Sequence, residues 1–231
     1  MKLRLQITKE SGIRFISHLE YQATLEKAIR RAKLPVAYSQ GYNPHMKFSL
    51  ASALGVGITS DCEFVEIELT EDMELAKAMA QLSKALPMGI HIKDGDMVEK
   101  KAPKLMASAA GAEYVVKVPC LADPSDGIHA FNIAAQVIFA KPIPKSHGKT
   151  KEIDVKNFIP VVSGKYADNV LELKFSCKIT LKGSMKAAEL LLVLKDQFHV
   201  PIVYEAADIR RVALYGLNDL GHKRPLLSKA Q

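Results

Sequence analysis

With 231 residues, 48% of them apolar and 25% charged, the chain can bury a core as one large domain or two smaller ones, and its composition excludes low-complexity disorder. A net charge of +7 suits a polyanionic partner. No apolar run approaches the roughly 18 residues of a membrane helix, and Met1-Lys2-Leu3-Arg4 opens an alternation instead of a signal-peptide core, so a cytoplasmic protein with no membrane partner is expected.

Leu3, Leu5 and Ile7 alternate with Lys2, Arg4, Gln6 and Thr8, the period of a strand buried on one face. Ser11-Gly12 breaks it. Ser17 and Glu20 then have the spacing of a capping box, with Ile16 and Tyr21 as its hydrophobic staple. Tyr21, Leu25, Ala28, Ile29 and Ala32 form one apolar helical stripe, and Lys27, Arg30 and Arg31 lie opposite. Pro35 ends the helix, and Gly41 and Pro44 keep the following loop irregular.

Met46, Phe48 and Leu50 read as a second strand, and Val65, Ile67 and Leu69 as a third. A helix over Asp72 to Ala85 and a strand over Ile90 to Val98 complete a β-α-β-β-α-β order. Residues 100–111 lack either periodicity and read as a linker. The order then restarts: a strand around Tyr114 to Val118, Asp123 as N-cap with Pro124 at N1, and a helix stripe from Ile128 to Ile138. A basic loop from Lys141 to Lys151 leads to a strand at Ile153 to Val162. After a turn over Ser163 to Asn169 come a regular strand at Leu171 to Ile179, a helix capped by Ser184, and a last strand between Ile202 and Tyr215. The expected fold is α+β: two tandem ferredoxin-like (βαββαβ) units with antiparallel sheets, over 1–99 and 112–215, ending in a loosely held basic tail over 216–231.

Charge is uneven along the chain. Residues 1–50 hold nine Lys or Arg against three Glu, whereas residues 61–75 hold seven acidic residues and no Lys or Arg. Lys2, Arg4, Arg14, Lys27, Arg30, Arg31 and Lys47 are the cations expected to meet RNA, and Tyr42, Asn43 and His45 extend that surface. Cations supply the salt-sensitive part of such binding, and exposed aromatic faces take unpaired bases. The alternative is a merely solvated helix face, with Glu66 and Glu68 neutralising Lys2 and Arg4 across the sheet.

His18, in the first helical turn beside Arg14, is the candidate general acid or base. A helix N-terminus depresses imidazole basicity, however, and the capping box already accounts for Ser17 and Glu20. His45 could join it only through a loop folding back, since a helix of about 17 residues at about 1.5 Å each holds them roughly 25 Å apart. Cys62, Cys120 and Cys177 are odd in number and widely spaced, so neither a disulfide framework nor a metal site is expected, and no cofactor is implied. Phosphate-cradling, dinucleotide-binding and nucleophile-elbow motifs are absent.

Arg14-Phe15-Ile16-Ser17-His18-Leu19, Arg30-Arg31-Ala32 with Leu34-Pro35, and Ser39 with Gly41-Tyr42-Asn43-Pro44-His45 resemble the uncharacterised domain fused to, or encoded beside, radical SAM proteins. Glu20 stands where that family has Asp, and the likeness weakens after about residue 70. The resemblance implies a radical SAM protein as partner. It also implies that this chain, lacking the three-cysteine cluster motif, is an accessory half that presents RNA or another substrate. A fold-level analogy with paired-ferredoxin endoribonucleases makes metal-independent RNA cleavage by His18 the alternative function. A protein-interaction module, docking an acidic partner through its basic first half, is a further one.

Overall fold

The computed structural model describes residues 1–143, 148–180 and 183–227. The architecture is α+β, with few helices and mostly antiparallel strands. The chain divides into two compact units, Met1–Ala110 with Arg211–Gln231, and Gly111–Arg210. Among the described residues no helix is long and apolar enough to cross a membrane.

The first unit begins with β1 (Lys2–Lys9), α1 (His18–Arg31), β2 (Phe48–Leu50), β3 (Ile58–Glu68), α2 (Leu75–Ala85), β4 (Ile92–Val98) and a single turn of helix, α3 (Leu105–Ser108). β1 lies between β3 and β4, antiparallel to both, and β2 pairs with the far end of β3. In the β1–β3 register Leu3 faces Ile67, Leu5 faces Val65 and Ile7 faces Glu63, so these residues share the side covered by the helices. Their apolar members join Tyr21, Leu25 and Ile29 of α1 and Leu82 of α2 in one core.

The start of α1 follows from its sequence. Glu20 N–H donates to Ser17 Oγ (3.2 Å) and Ser17 N–H to Glu20 Oε2 (2.7 Å), closing both halves of the capping box. Lys33, in the left-handed region at φ 53°, turns the chain out of the helix. α2 starts three residues later than its expected Asp72, because Glu74 takes the N-cap position without a side-chain cap.

The second unit holds β5 (Gly111–Pro119), α4 (Ser125–Ile133), β6 (Ile138–Pro142), β7 (Thr150–Asp154), β8 (Ser163–Ala167), β9 (Val170–Thr180), β10 (Gly183–Ser184) and α5 (Ala187–Phe198). β9 pairs with β5, β8 and β10, and among the described residues β6 pairs only with β7. Phe131 and Phe198 meet edge to face at 5.4 Å between α4 and α5. Gly127 permits that approach, since a Cβ there would lie 2.6 Å from Phe198 O.

Four expectations for this half are corrected. The basic loop Lys141 to Lys151 is a hairpin whose arms are β6 and β7, with Lys141 opposite Lys151, and Pro144, Lys145 and His147 lie outside the described residues. The strand expected at Ile153 to Val162 stops at Asp154, whose carboxylate caps a 3-10 turn by accepting from Lys156 N–H. The turn expected over Ser163 to Asn169 shrinks to Asp168-Asn169, both at positive φ, a geometry suited to a two-residue hairpin. Ser184 belongs to β10 and caps nothing; Lys186 takes the N-cap position of α5.

The last long strand, β11 (Asp208–Leu217), begins in the second unit and from Arg211 onward belongs to the first, where it lies beside β3. A turn at Asn218 sends the chain back as β12 (Lys223–Arg224), paired with Gly216 and Leu217. Leu226 and Leu227 are buried, so the tail is not loosely held as far as residue 227. The linker is likewise packed, with Leu105 fully buried. Together these segments bury the face of β1 that alternation had assigned to water, and Lys2 and Arg4 are buried with it.

Candidate functional site

Two features of the first unit concentrate charge. One lies under the N-terminus of α1. Glu63, only 1% exposed, accepts from Arg211 Nη1 through both oxygens, at 2.9 and 3.2 Å, and Arg211 Nη2 donates to Ala53 O at 2.8 Å. Lys9, equally buried, donates to the carbonyls of Arg14 (3.0 Å) and Ile16 (2.9 Å), and its ammonium lies 5.9 Å from the Tyr21 ring centre. Arg14 and Gly57 exchange two bonds, Nε to O and O to N–H, both 2.8 Å. Three cations thus pin the loops before α1 and before β3 by their carbonyls, which fixes backbone that would otherwise be mobile.

His18 sits half-buried above this centre as the first residue of α1. Burial pushes its pKa below the ordinary imidazole value; Lys9 and Arg211 add to that effect and Glu63 opposes it. The imidazole is therefore neutral near pH 7. Burial, reinforced by Glu63, pushes the Cys62 thiol up to about 12, leaving no thiolate nucleophile there. Glu63 is occupied by Arg211, so the centre is built to hold loops, with His18 as its accessible polar edge. Phe15 and Leu19 flank that edge, each about three-quarters exposed.

The second feature is a groove of about 580 Å³ on the β2–β3 side. Lys2, Lys47, Lys100 and Lys104 line it with Ser49, Glu66, Glu68 and Met106, while Phe48, which borders it on β2, lies opposite Ile67 and packs on the core side of the sheet. Its floor is rigid. Glu66 accepts from Arg4 at 2.8 Å and pairs with Lys2 at 3.5 Å, while Lys2 Nζ donates to Ala102 O at 2.7 Å and Arg4 to Pro103 O. At the rim Lys47 and Lys100 share Glu68, at 3.3 and 3.4 Å. Burial works against the Glu68 carboxylate, but its bonds and charge interactions with these two lysines outweigh that and hold its pKa below the ordinary value. Each carboxylate thus serves two cations, and the exposed Lys104 adds a fifth.

A family model for an uncharacterised protein conserved in bacteria (DUF2344) matches residues 2–189, from β1 into α5. The chain belongs to the DUF2344 family. No curated protein matches it. Among solved structures, a chain from the crystal structure of a Cbf5-Nop10-Gar1 complex is similar in fold, with a TM-score of 0.53 at 12% identity over 92% of this chain. A chain from an archaeal box H/ACA sRNP Nop10-Cbf5 complex gives 0.46 at 12% identity, covering 90% of this chain and 46% of its own length. The DUF2344 chain spans about half the length of the first of these, 48%.

The remaining expected site residues of the DUF2344 chain do not converge. Arg31 donates to Ala85 O at the end of α2, a helix-capping contact, and Arg30 pairs with Glu26 one turn back at 2.7 Å. Lys27 is exposed on α1, and Arg14 is engaged with Gly57. Tyr42 is fully exposed, and Asn43 and His45 are exposed beside it in a loop closed by Ser39, whose Oγ accepts from His45 N–H at 2.9 Å. That loop is anchored where Glu68 exchanges bonds with Ala37 and Lys47, whereas His18 interacts with Glu63. Five strand residues separate the anchors, roughly 17 Å, so His18 and His45 form no common site. No group of three His, Cys, Asp or Glu among the described residues could hold a metal.

Lys2 and Arg4, read as RNA ligands, form the buried floor, which matches the alternative in which Glu66 neutralises them. Of the expected cations only Lys2 and Lys47 line the groove. Glu63 and Lys9 carry no local sign of this role, because the Glu63–Arg211 contact that builds the centre spans 148 residues. Lys100 and Lys104 were assigned to the linker; the run of three lysines from 100 to 104 was the available sign.

Proposed function

We propose that this DUF2344 protein is a non-catalytic accessory protein that binds RNA in the cytoplasm and works with a radical SAM enzyme in RNA modification. The observation that carries the RNA part is the groove, where four cations share two carboxylates and a fifth, Lys104, lies exposed on the same rim. Such a surplus attracts a polyanion. The resemblance of the Arg14–Leu19 and Ser39–His45 motifs to the radical SAM-linked domain supports the partner. The strand arrangement of the first unit, β1 between β3 and β4 and antiparallel to both, supports reading it as ferredoxin-like, and the same reading extends to the second unit.

Binding is preferred to cleavage because Glu63, the carboxylate whose charge acts on His18, is taken up by its ion pair with Arg211. A salt titration of the purified chain with single-stranded RNA tests the first part. Displacement of two or three counterions gives a log–log slope of about −2, and absence of binding at low salt would reject RNA as ligand. Co-purification of a radical SAM protein with the tagged chain from its native cells tests the partnership, and its absence would remove that part.

A further inference from the structure

We infer that β8 is a docking edge: an extended segment of a partner protein adds to it as a strand, seating an apolar side chain in the cleft under α4 and a basic residue at the acidic end of that cleft. The inference is independent of RNA binding at the groove. β8 pairs with β9 on one side, and among the described residues no strand pairs with its other side. Two observations tell which backbone groups face outward. The two-residue turn Asp168-Asn169 sets Ala167 and Val170 as a hydrogen-bonded pair, so the bonds to β9 fall to the odd-numbered residues of β8. Val162, of the other parity, gives both its backbone groups to Asn132 of α4: its N–H donates to Oδ1 and its carbonyl accepts from Nδ2, each at 2.9 Å. Asn132 thus stands where a neighbouring strand would, and it closes one end of the edge. Gly164 and Tyr166, two and four residues on, turn their N–H and C=O the same way, and no hydrogen-bond partner meets those groups among the described residues.

The chemistry of the edge selects its occupant. Outward N–H and C=O pairs recur at every second residue, roughly 6.6 Å apart, and an extended peptide offers acceptors and donors at that repeat. Gly164 leaves open the space beside it, since a Cβ there would already touch Leu171 Cδ1 at 3.4 Å and Ile128 Cγ1 at 3.6 Å. The cleft between strand and helix, about 380 Å³, is lined by Ile128, Val162 and Leu171 together with His129 and Tyr166, a surface for an apolar side chain. Charge separates a peptide from a polyanion. Because Asn132 near the end of α4 meets Val162 before the start of β8, the first turn of α4 lies toward Tyr166 and the hairpin turn. Asp123, Asp126 and Asp168 are exposed at that end. Bonds from the Ser125 hydroxyl and amide hold the Asp123 carboxyl below its ordinary pKa. Lys165 lies on the opposite face of β8, where its charge acts on Glu172. Three carboxylates repel a phosphate backbone and attract a lysine or arginine. A second copy of this chain fits poorly, since its own β8 is overhung at Val162 by Asn132.

The test follows backbone amides of the full chain by NMR, with a capped heptapeptide of alternating valine and threonine that ends in lysine as the probe. Its companions are the same peptide N-methylated at every second amide, in each of the two registers, and a version ending in aspartate. The variants are Gly164→Val, Asp126→Lys, and Lys27→Ala as a control on α1, each checked for an unchanged circular dichroism spectrum. Millimolar peptide is expected to slow hydrogen exchange at the Gly164 and Tyr166 amides and leave Ser163 and Lys165 as they were. N-methylation in one register weakens binding on the order of tenfold, as for the loss of one or two backbone hydrogen bonds. Gly164→Val fills the cleft and abolishes binding, Asp126→Lys weakens the lysine-ended peptide and tightens the aspartate-ended one, and Lys27→Ala changes neither. If Gly164→Val alters the fold, the N-methylated peptides decide the matter on the unmodified chain. No slowing at Gly164 and Tyr166, or equal binding of both N-methylated peptides and their parent, would overturn the added strand. Equal affinity for the lysine- and aspartate-ended peptides would overturn the acidic end as a determinant. Slowing of the same two amides with protein concentration alone would make the edge a contact between copies, and slowing by single-stranded RNA would assign it to RNA; either result would overturn the partner segment.

Discussion

Replacing Arg211 by Met tests whether the buried centre under α1 is a charge network or a coincidence of packing. The substitution removes both bonds to Glu63 and the donor to Ala53 O while keeping most of the apolar volume. Breaking a buried pair by removing one partner costs about 3–5 kcal/mol. The stranded Ala53 carbonyl adds about 1 kcal/mol, and the charge of nearby Lys9 offsets part of the total, so about 3–4 kcal/mol is expected. Glu63→Met together with Arg211→Met removes both charges and should cost far less than the sum of the single changes.

Urea unfolding followed by circular dichroism, completed as a double-mutant cycle, measures this. His18 supplies a readout that packing alone would not move. Arg211 depresses its pKa and Glu63 raises it, so Arg211→Met should shift the NMR titration of His18 upward and Glu63→Met downward. A single-variant loss below about 1 kcal/mol, or a double variant as unstable as the sum, would refute the network.

Three further outcomes follow from individual residues. Because His18 has a lowered pKa in the fold, the unfolded chain takes up its proton first as pH falls. Its contribution to stability is therefore full above the ordinary imidazole value and is lost through the window just below it; urea midpoints between pH 7 and 5 should fall less steeply for His18→Asn, and equal slopes would contradict this. Cys62, with its thiol pushed up to about 12, should resist iodoacetamide at pH 8 in the native protein and react only on unfolding, as read by mass spectrometry. Leu226→Ala should cost about 2–3 kcal/mol in thermal or urea unfolding, whereas a loosely held tail would give a change too small to measure.

The resemblance read from residues 1–70 led correctly to an uncharacterised family, and the family match runs well beyond that stretch, to residue 189. Candidate residues fared unevenly for a physical reason. Arg31, His45 and Asn43 were chosen by type and position in a motif, but what each does depends on the element opposite it. For Arg31 that element is the last carbonyl of α2, 54 residues away.

The sequence alone determined what local forces decide. Ser17 and Glu20 fix the start of α1 because both bonds of the capping box close within four residues, and the Tyr21–Ile29 stripe fixes its buried face. The alternation of Leu3, Leu5 and Ile7 fixes the helix-covered side of β1. Only the tertiary structure decided the fate of the other side. Lys2 and Arg4 are buried because the segment around Ala102 and Pro103, about a hundred residues away, returns to cover them, and alternation carries no record of what comes back. The same holds for both charged features. Glu63 with Arg211, and Lys47 with Lys100, are assembled by strand register and chain return, which bring side chains together without marking either in its own neighbourhood.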